Sequence, residues 1–327
     1  MAYSEQILQR ARARLEDARR ERERENELHR QFAYDRYPRL QEIDRRLRQT
    51  MTNLIATTLR QGEDPKEAVM AIRDENLALQ REKEWILDSE ELDYESPICG
   101  ICGGSGYMGA NMCSCLLELC RQEQKKELAN LLGNGRETFD TFRLDFYSDE
   151  PDPTAGGVSP RRLMQSNLNF CRKYAMNFGP GSENLLFVGA PGLGKTFLSA
   201  CIARQVADRG FSVVYETAIT LFSDFEAEKF NQNSEEYKGL SRRYMDCDLL
   251  IIDDLGTEMT TQFVISTLYH IINTRMMENR GTIISTNVLD NALEKKYSPQ
   301  IASRITGNYR LIKFMGQDIR RIKGVKG

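Results

Sequence analysis

The spacing of apolar residues changes along the chain. Through residues 1–95 apolar positions are sparse and recur at helical intervals in strongly polar sequence. Ile43, Leu47, Met51, Leu54 and Ile55 form one stripe, and Val69, Ile72, Leu79 and Ile86 a second. A helix start is expected at Asp64-Pro65, with Asp64 as N-cap, Pro65 at the first helical position and Glu67 at the third. Another is expected near Pro38. The pattern predicts a bundle or antiparallel coiled coil with joints around Tyr37-Pro38 and Gln61-Gly62. So thin a stripe builds little core alone, which favours a partner surface over a solvated arm.

From about residue 160 the apolar positions condense into short unbroken runs. Strands are expected at 185–189, 212–216, 248–253, 281–286 and 309–315, with helices near 160–177, 195–209, 218–230, 260–279 and 299–306. Apolar strands alternating with helices predict an α/β fold, a parallel sheet covered on both faces. The stretch 96–121 is a compact cysteine segment, and 122–158 is a linker. The resulting division is 1–95 helical, 96–121 cysteine-rich, 122–158 linker and 159–327 α/β domain. The linker carries Phe139, Phe142, Leu144 and Phe146, expected to pack under the α/β domain.

Composition adds a few limits. A chain of 327 residues with 40% hydrophobic content can hold one large core and something smaller. The net charge of −3 is uninformative, but from Lys295 to Gly327 nine Lys and Arg face the single acid Asp318. That segment suits a polyanion or a neighbour's phosphates as well as a solvated surface. No apolar stretch approaches the length of a membrane span, and Met1–Glu5 shows no signal-peptide pattern. The expectation is a cytoplasmic chain whose eight cysteines are reduced.

The chemistry concentrates at Gly189-Ala190-Pro191-Gly192-Leu193-Gly194-Lys195-Thr196, a G-x-x-x-x-G-K-T phosphate loop between an apolar run and a helical segment. Glycines let backbone N–H groups turn toward a triphosphate, and the helix N-terminus adds partial positive charge. Lys195 would reach the β- and γ-phosphates of ATP, and the Thr196 hydroxyl would ligate Mg²⁺. Leu249-Leu250-Ile251-Ile252-Asp253-Asp254 is an apolar strand ending in two carboxylates, the Walker B arrangement. Asp253 would hold Mg²⁺, mostly through water, and Asp254 would polarise the attacking water. Ile283-Ile284-Ser285-Thr286-Asn287 is a further strand, whose Asn287 could orient that water.

Five cysteines fall close together in the order C-x2-C-x10-C-x-C, with Cys120 beyond. Thiolate pairs on tight turns suit tetrahedral Zn²⁺. The chain's two histidines are distant, so the ligands expected are Cys99, Cys102, Cys113 and Cys115, with Cys120 a substitute for Cys115 and an Fe–S cluster a lesser option. Cys171, Cys201 and Cys247 read as buried small hydrophobes.

Together these residues resemble the AAA+ ATPases of the DnaC/DnaI helicase-loader and IstB-like group. The resemblance rests on Gly189–Thr196, on Asp253-Asp254-Leu255-Gly256-Thr257-Glu258, on Ser285-Thr286-Asn287 and on Ser303-Arg304-Ile305. The cysteine segment is similar to the zinc-binding region of the DnaI-like branch. The resemblance implies that Asn287 is a sensor and Arg304 an arginine finger acting on a neighbouring subunit's nucleotide. It implies a loader or remodeller of a replicative hexameric DNA helicase that binds single-stranded DNA in its ATP state. DNA contacts are then expected among Lys229, Lys238, Arg242 and Arg243, with Phe222, Phe225, Phe230 and Tyr237 interleaved, although core packing explains most of these aromatics equally well. An ATPase partner of a transposase, a non-hydrolysing adaptor and a phage or mobile-element loader share the same core. Two departures stand out. The residues after Met315 are too few for the helical lid usual in AAA+ proteins, which leaves Arg320 or Arg321 as stand-ins for a lid arginine. Asp254 stands where Glu is usual, which predicts slow hydrolysis suited to a timed switch.

Overall fold

The computed structural model describes residues 3–58, 66–131, 137–153, 156–231, 239–288 and 290–325. It divides into two compact units, Arg12–Leu116 and Met1–Ala11 with Leu117–Gly327.

The unit Arg12–Leu116 is built on α1 (Glu5–Arg36), α2 (Pro38–Thr58) and α3 (Lys66–Ser89), followed by a short hairpin of β1 (Tyr107–Met108) and β2 (Asn111–Met112). The break between α1 and α2 falls at Tyr37, because Pro38 has no N–H to continue a helix. The joint expected at Gln61-Gly62 and the cap at Asp64-Pro65 lie outside the described residues. Arg39 pairs with Glu82 and Arg46 with Glu75, so α2 and α3 run antiparallel. The core is small, with Ala33, Leu40 and Tyr94 at its centre. Asp44 ties it together, accepting from Tyr34 at 2.6 Å and Tyr94 at 3.2 Å and pairing with Lys83 at 2.8 Å. Of the predicted stripes, Ile43 and Leu79 are buried, while Met51 and Ile55 stay exposed, as do Met70 and Trp85.

The other unit holds the sheet. After α4 (Ser114–Leu131) come a 3-10 turn (Leu144–Phe146), α5 (Pro160–Asn177), β3 (Asn184–Val188), α6 (Lys195–Asp208), β4 (Val213–Thr217), α7 (Ala218–Phe230) and α8 (Arg242–Asp246). Then follow β5 (Leu249–Leu255), α9 (Gln262–Met277), β6 (Gly281–Thr286), α10 (Asp290–Lys296), α11 (Pro299–Asn308), β7 (Tyr309–Lys313) and α12 (Ile319–Val325). The sheet order is β4-β5-β6-β3-β7, and every pairing is parallel. All five predicted strands are present. The central strands β3, β5 and β6 are covered on both faces, which is why their sequence runs are almost unbroken in apolar residues, whereas the edge strands β4 and β7 are partly exposed. Leu185, Phe187 and Ile251 pack with α5 and α6 on one side. Leu186, Leu250 and Ile252 pack with α7, α9 and α11 on the other. The helices α8, α10 and α12 are additions to the sequence reading.

Two polar side chains hold this unit in places where no strand can. Gln124 of α4, almost wholly buried, donates to the Phe211 carbonyl and accepts from the Val213 N–H, both at 2.9 Å. It thus pairs with the outer edge of β4. Arg275 of α9 is fully buried. Its guanidinium donates to the carbonyls of Tyr244 (2.8 Å), Met245 (3.1 Å), Cys247 (3.0 Å) and Gly281 (2.7 Å), and to the Thr282 hydroxyl (3.0 Å).

Candidate nucleotide and metal sites

At the end of β3 the chain enters the glycine loop. A side chain at Gly189 would put its Cβ 2.6 Å from the Phe314 carbonyl oxygen, so only glycine lets β7 end against this loop. Gly194 has φ +89° and caps α6 with its carbonyl, which accepts from the Leu198 N–H at 3.0 Å. The first turn of α6 therefore opens onto the loop, where an anion gains from its free N–H groups. Pro191 is exposed, whereas Leu193 is buried in the core. Lys195 is buried, and its ammonium donates to the carbonyls of Gly189 at 2.7 Å and Ala190 at 2.9 Å. Burial lowers its pKa, against the pull of Asp254 and Asp253. Tyr147, which the sequence reading passed over, donates to the Leu193 carbonyl at 2.9 Å and stacks on Phe142. Phe139, Phe142, Leu144 and Phe146 pack on the same core. The signal was available, since Tyr147 directly follows that aromatic cluster.

Opposite the loop, Asp253 is buried at the end of β5. One carboxylate oxygen accepts from the Ser285 hydroxyl and the other from Tyr215 at 2.6 Å. Tyr215 also interacts with the Thr196 side chain. The electrostatics of the Tyr215 hydroxyl thus register both residues expected to face Mg²⁺, Asp253 through a hydrogen bond and Thr196 more weakly. Two such oxygen donors fit a hard divalent cation that keeps much of its water. Asp254 adopts φ +54°, a left-handed conformation that Asp tolerates better than most residues. Its N–H donates to Ser285 Oγ at 3.0 Å and its carbonyl accepts from Thr257 Oγ1 at 2.9 Å. Burial raises its pKa, the neighbouring Asp253 adds to this, and Lys195 and Arg320 oppose it. Glu258 then closes the turn, accepting from the Gly256 N–H at 2.8 Å and from the Tyr297 hydroxyl.

Asn287 is exposed just beyond β6. Arg304 lies on α11, its guanidinium 4.5 Å from the Tyr269 ring centre and donating to Asn273 Oδ1 at 3.2 Å. Arg320 belongs to a segment resting on the loop, where the Ile319 N–H donates to the Gly192 carbonyl at 3.0 Å. Arg320 and Arg321 are both exposed on the same helix, and it is the charge of Arg320 that is felt by Lys195 and Asp254.

The residues expected to meet DNA divide. Phe222 is buried, Phe225 stacks on Tyr244, and Arg243 is held by Asp224 at 2.9 Å and Glu216 at 3.3 Å. Phe222 and Phe225 thus follow the core-packing alternative, and Arg243 is engaged by two acids. Arg242 is exposed beside Asp246. Phe230 is 69% exposed, and the Lys229 ammonium lies 5.8 Å from its ring centre and 4.8 Å from that of Phe263. Tyr237 and Lys238 lie outside the described residues.

In the unit Arg12–Leu116, the sulfurs of Cys99, Cys102, Cys113 and Cys115 all lie within 4.8 Å of one another. Cys99 and Cys113 are 3.9 Å apart, and Cys102 and Cys115 are 3.5 Å apart. With zinc–sulfur bonds of about 2.3 Å, a tetrahedron has sulfur–sulfur edges of about 3.8 Å, so this set fits Zn²⁺. The Gly106 N–H donates to Cys102 Sγ at 3.3 Å, the kind of amide that steadies a thiolate. Cys115 rather than Cys120 joins the set, and Cys120 is buried on α4. Cys171, Cys201 and Cys247 are buried in the other unit, and burial pushes each thiol up, Cys201 to about 12.

No helix among the described residues is long and apolar enough to cross a membrane. Residues 169–297 match the family described as IstB-like ATP binding protein. The chain is 26% identical over 161 residues to the chromosomal replication initiator protein DnaA of Aliarcobacter butzleri, covering 48% of this chain and 32% of that protein. It is 23% identical over 195 residues to the replicative helicase loader DnaC of Buchnera aphidicola subsp. Acyrthosiphon pisum, covering 59% of this chain and 74% of that one. The crystal structure of DnaI aligns with a TM-score of 0.45 and 21% identity, covering 60% of this chain and 98% of that chain. The chain thus spans about a third of its DnaA relative and about three quarters of its DnaC relative. Residues 169–297, which carry the glycine loop, the paired carboxylates and four strands of the parallel sheet, thus match the IstB-like ATP-binding domain, and over part of its length the chain is homologous to the DnaC helicase loaders and to DnaA.

Proposed function

We propose that this protein is an ATP-dependent loader or remodeller of a replicative hexameric DNA helicase, hydrolysing ATP slowly as a switch. The observation that carries the reading is the homology of the ATP-binding domain to DnaC loaders, joined to a complete phosphate loop and acid pair. On ATP entry Lys195 exchanges its loop carbonyls for the β- and γ-phosphate oxygens, and the first turn of α6 faces the phosphates. Thr196, and Asp253 through water, would hold Mg²⁺, which would supply charge neutralisation at the phosphates. Asp254 accepts a hydrogen bond from the attacking water, and Asn287 orients it. Asp254 is a short side chain on left-handed backbone, so its reach is limited, which supports slow turnover. Arg320, whose charge is felt in the site, is favoured over Arg321 as the second cation near the γ-phosphate. Arg304 has neutral partners in Tyr269 and Asn273, so the guanidinium can be given up to a neighbouring subunit's nucleotide.

Single-stranded DNA would meet Lys229, Phe230 and Arg242 at the exposed end of α7 and on α8. The exposed Met51, Ile55, Met70 and Trp85 would grip the helicase, with the four-cysteine zinc site stiffening that unit. The chain would act in the cytoplasm.

The test is ATP hydrolysis by the purified chain, alone, with single-stranded DNA and with a replicative helicase from the same cell. The expected result is a slow basal rate that DNA changes, and a nucleotide-dependent helicase complex. Asp254→Asn should lower turnover at least tenfold while leaving ATP binding within about twofold. Because the matched family carries the IstB name, a second reading is an ATPase partner of a transposase. Stimulation by duplex DNA and a transposase, without a helicase complex, would select it. Tight ATP binding without turnover in any condition would instead leave a nucleotide-dependent adaptor.

A further inference from the structure

The Asp253 carboxylate is fixed at two points by groups that the phosphate-loop and acid-pair motifs do not include. Ser285 on β6 donates to one oxygen, and Tyr215 on β4 donates to the other at 2.6 Å. The two hydroxyls come from the strands on either side of β5. Tyr215 pairs in register with Ile251, two residues before Asp253. Two residues of strand span roughly 6.6 Å, about the length of a tyrosine side chain from Cα to oxygen, so the ring lies along β5 and ends at the carboxylate. Tyr215 is buried among the apolar residues that pack against α6, where a phenylalanine would fill the space. The hydroxyl therefore serves a polar partner rather than the packing. The partner that the hydroxyl meets is the Asp253 carboxylate, at 2.6 Å.

We propose that Tyr215 is a positioning residue for the Mg²⁺–nucleotide site, acting through Asp253, with Ser285 as the second anchor. The proposal rests on the ATP-binding reading of this site. Two donors lying on two sides of a carboxylate fix its plane, which one donor cannot do. Each oxygen keeps one free lone pair to accept from a metal-bound water. Asp253 then meets the ion's hydration shell in a set orientation, and the reorganisation that binding would otherwise require is already made. Ser285 also accepts from the Asp254 N–H at 3.0 Å, so the same anchor sets the backbone of the residue proposed to orient water.

The experiment is a Mg²⁺ titration of binding of a fluorescent ATP analogue to the full chain, with an EDTA arm, for the native protein, Y215F, S285A, D253N and Y215F/D253N. Steady-state turnover is measured over the same range. Y215F should raise the half-saturating Mg²⁺ concentration about tenfold, leave the EDTA affinity within twofold, and keep most of the turnover at saturating Mg²⁺. In the D253N background the same change should shift the Mg²⁺ curve by less than twofold. A Y215F curve that overlays a Mg²⁺-dependent native curve overturns the proposal. So does a tenfold shift that persists without the Asp253 carboxylate, since the effect then bypasses it. A native protein whose nucleotide binding ignores Mg²⁺ overturns the reading of the site itself, and this proposal with it. Should Y215F melt early, S285A carries the same expectations, with its own coupling to D253N as the deciding number.

Discussion

Replacing Arg275 by methionine should unfold the ATP-binding unit early. The guanidinium is fully buried and meets four main-chain carbonyls and one hydroxyl, at 2.7 to 3.1 Å. Methionine has comparable length and fills the space, so the cavity contribution is small. What is lost is the donor set. Each buried carbonyl left without a partner costs about 1–3 kcal/mol, or about 4–12 kcal/mol for four. Against this, removing a buried cation returns several kcal/mol of desolvation. The expected net loss is about 3–5 kcal/mol. With a urea dependence near 3 kcal/mol per molar for a unit of this size, the midpoint should fall by about 1–1.7 M. Arg275→Lys, a point charge with three donors, should fall between. The assay must watch the correct unit. The single tryptophan, Trp85, lies in the other unit, so its fluorescence would miss the event. Loss of a bound fluorescent nucleotide reports on the sheet instead. A methionine variant within about 1 kcal/mol of the native protein would refute the claim that this guanidinium ties α9 to the entries of β5 and β6.

Two further outcomes are expected. Chelation should release one zinc per chain, detected by a colorimetric metal indicator. It should change Trp85 fluorescence and leave nucleotide affinity within twofold, because the four sulfurs and Trp85 share the smaller unit; C102S should hold no zinc. Phe230→Ala should weaken single-stranded DNA binding by about 1–3 kcal/mol, roughly five- to a hundredfold, if a base stacks there. ATP affinity should not move, and an unchanged DNA isotherm removes Phe230 from the interface.

The sheet was legible because parallel strands buried on both faces must be apolar without interruption. The runs around Leu185–Val188 and Leu249–Ile252 could be little else. The glycine loop was legible because its backbone geometry demands glycine at fixed spacing. What escaped were single polar residues inside apolar runs. Nothing in the sequence marks out Tyr215 or Arg275, and only the packing of elements from distant sequence reveals their partners. The DNA candidates show the converse. Arg243 and Phe225 had the right composition, but Asp224, Glu216 and Tyr244 claim them, and composition carries no direction. In the cysteine segment, spacing left Cys115 and Cys120 both open. Cys115, two residues from Cys113, stands with the other three sulfurs, while Cys120 is buried on α4.

The pairing of Gln124 with the edge of β4 bears on how copies of this chain could associate. An open sheet edge invites strand addition from another molecule, which is unspecific and hard to reverse. One primary amide, donating to Phe211 and accepting from Val213, spends the groups at that place that a foreign strand would need. Main-chain zippering of another copy onto that place is thereby disfavoured.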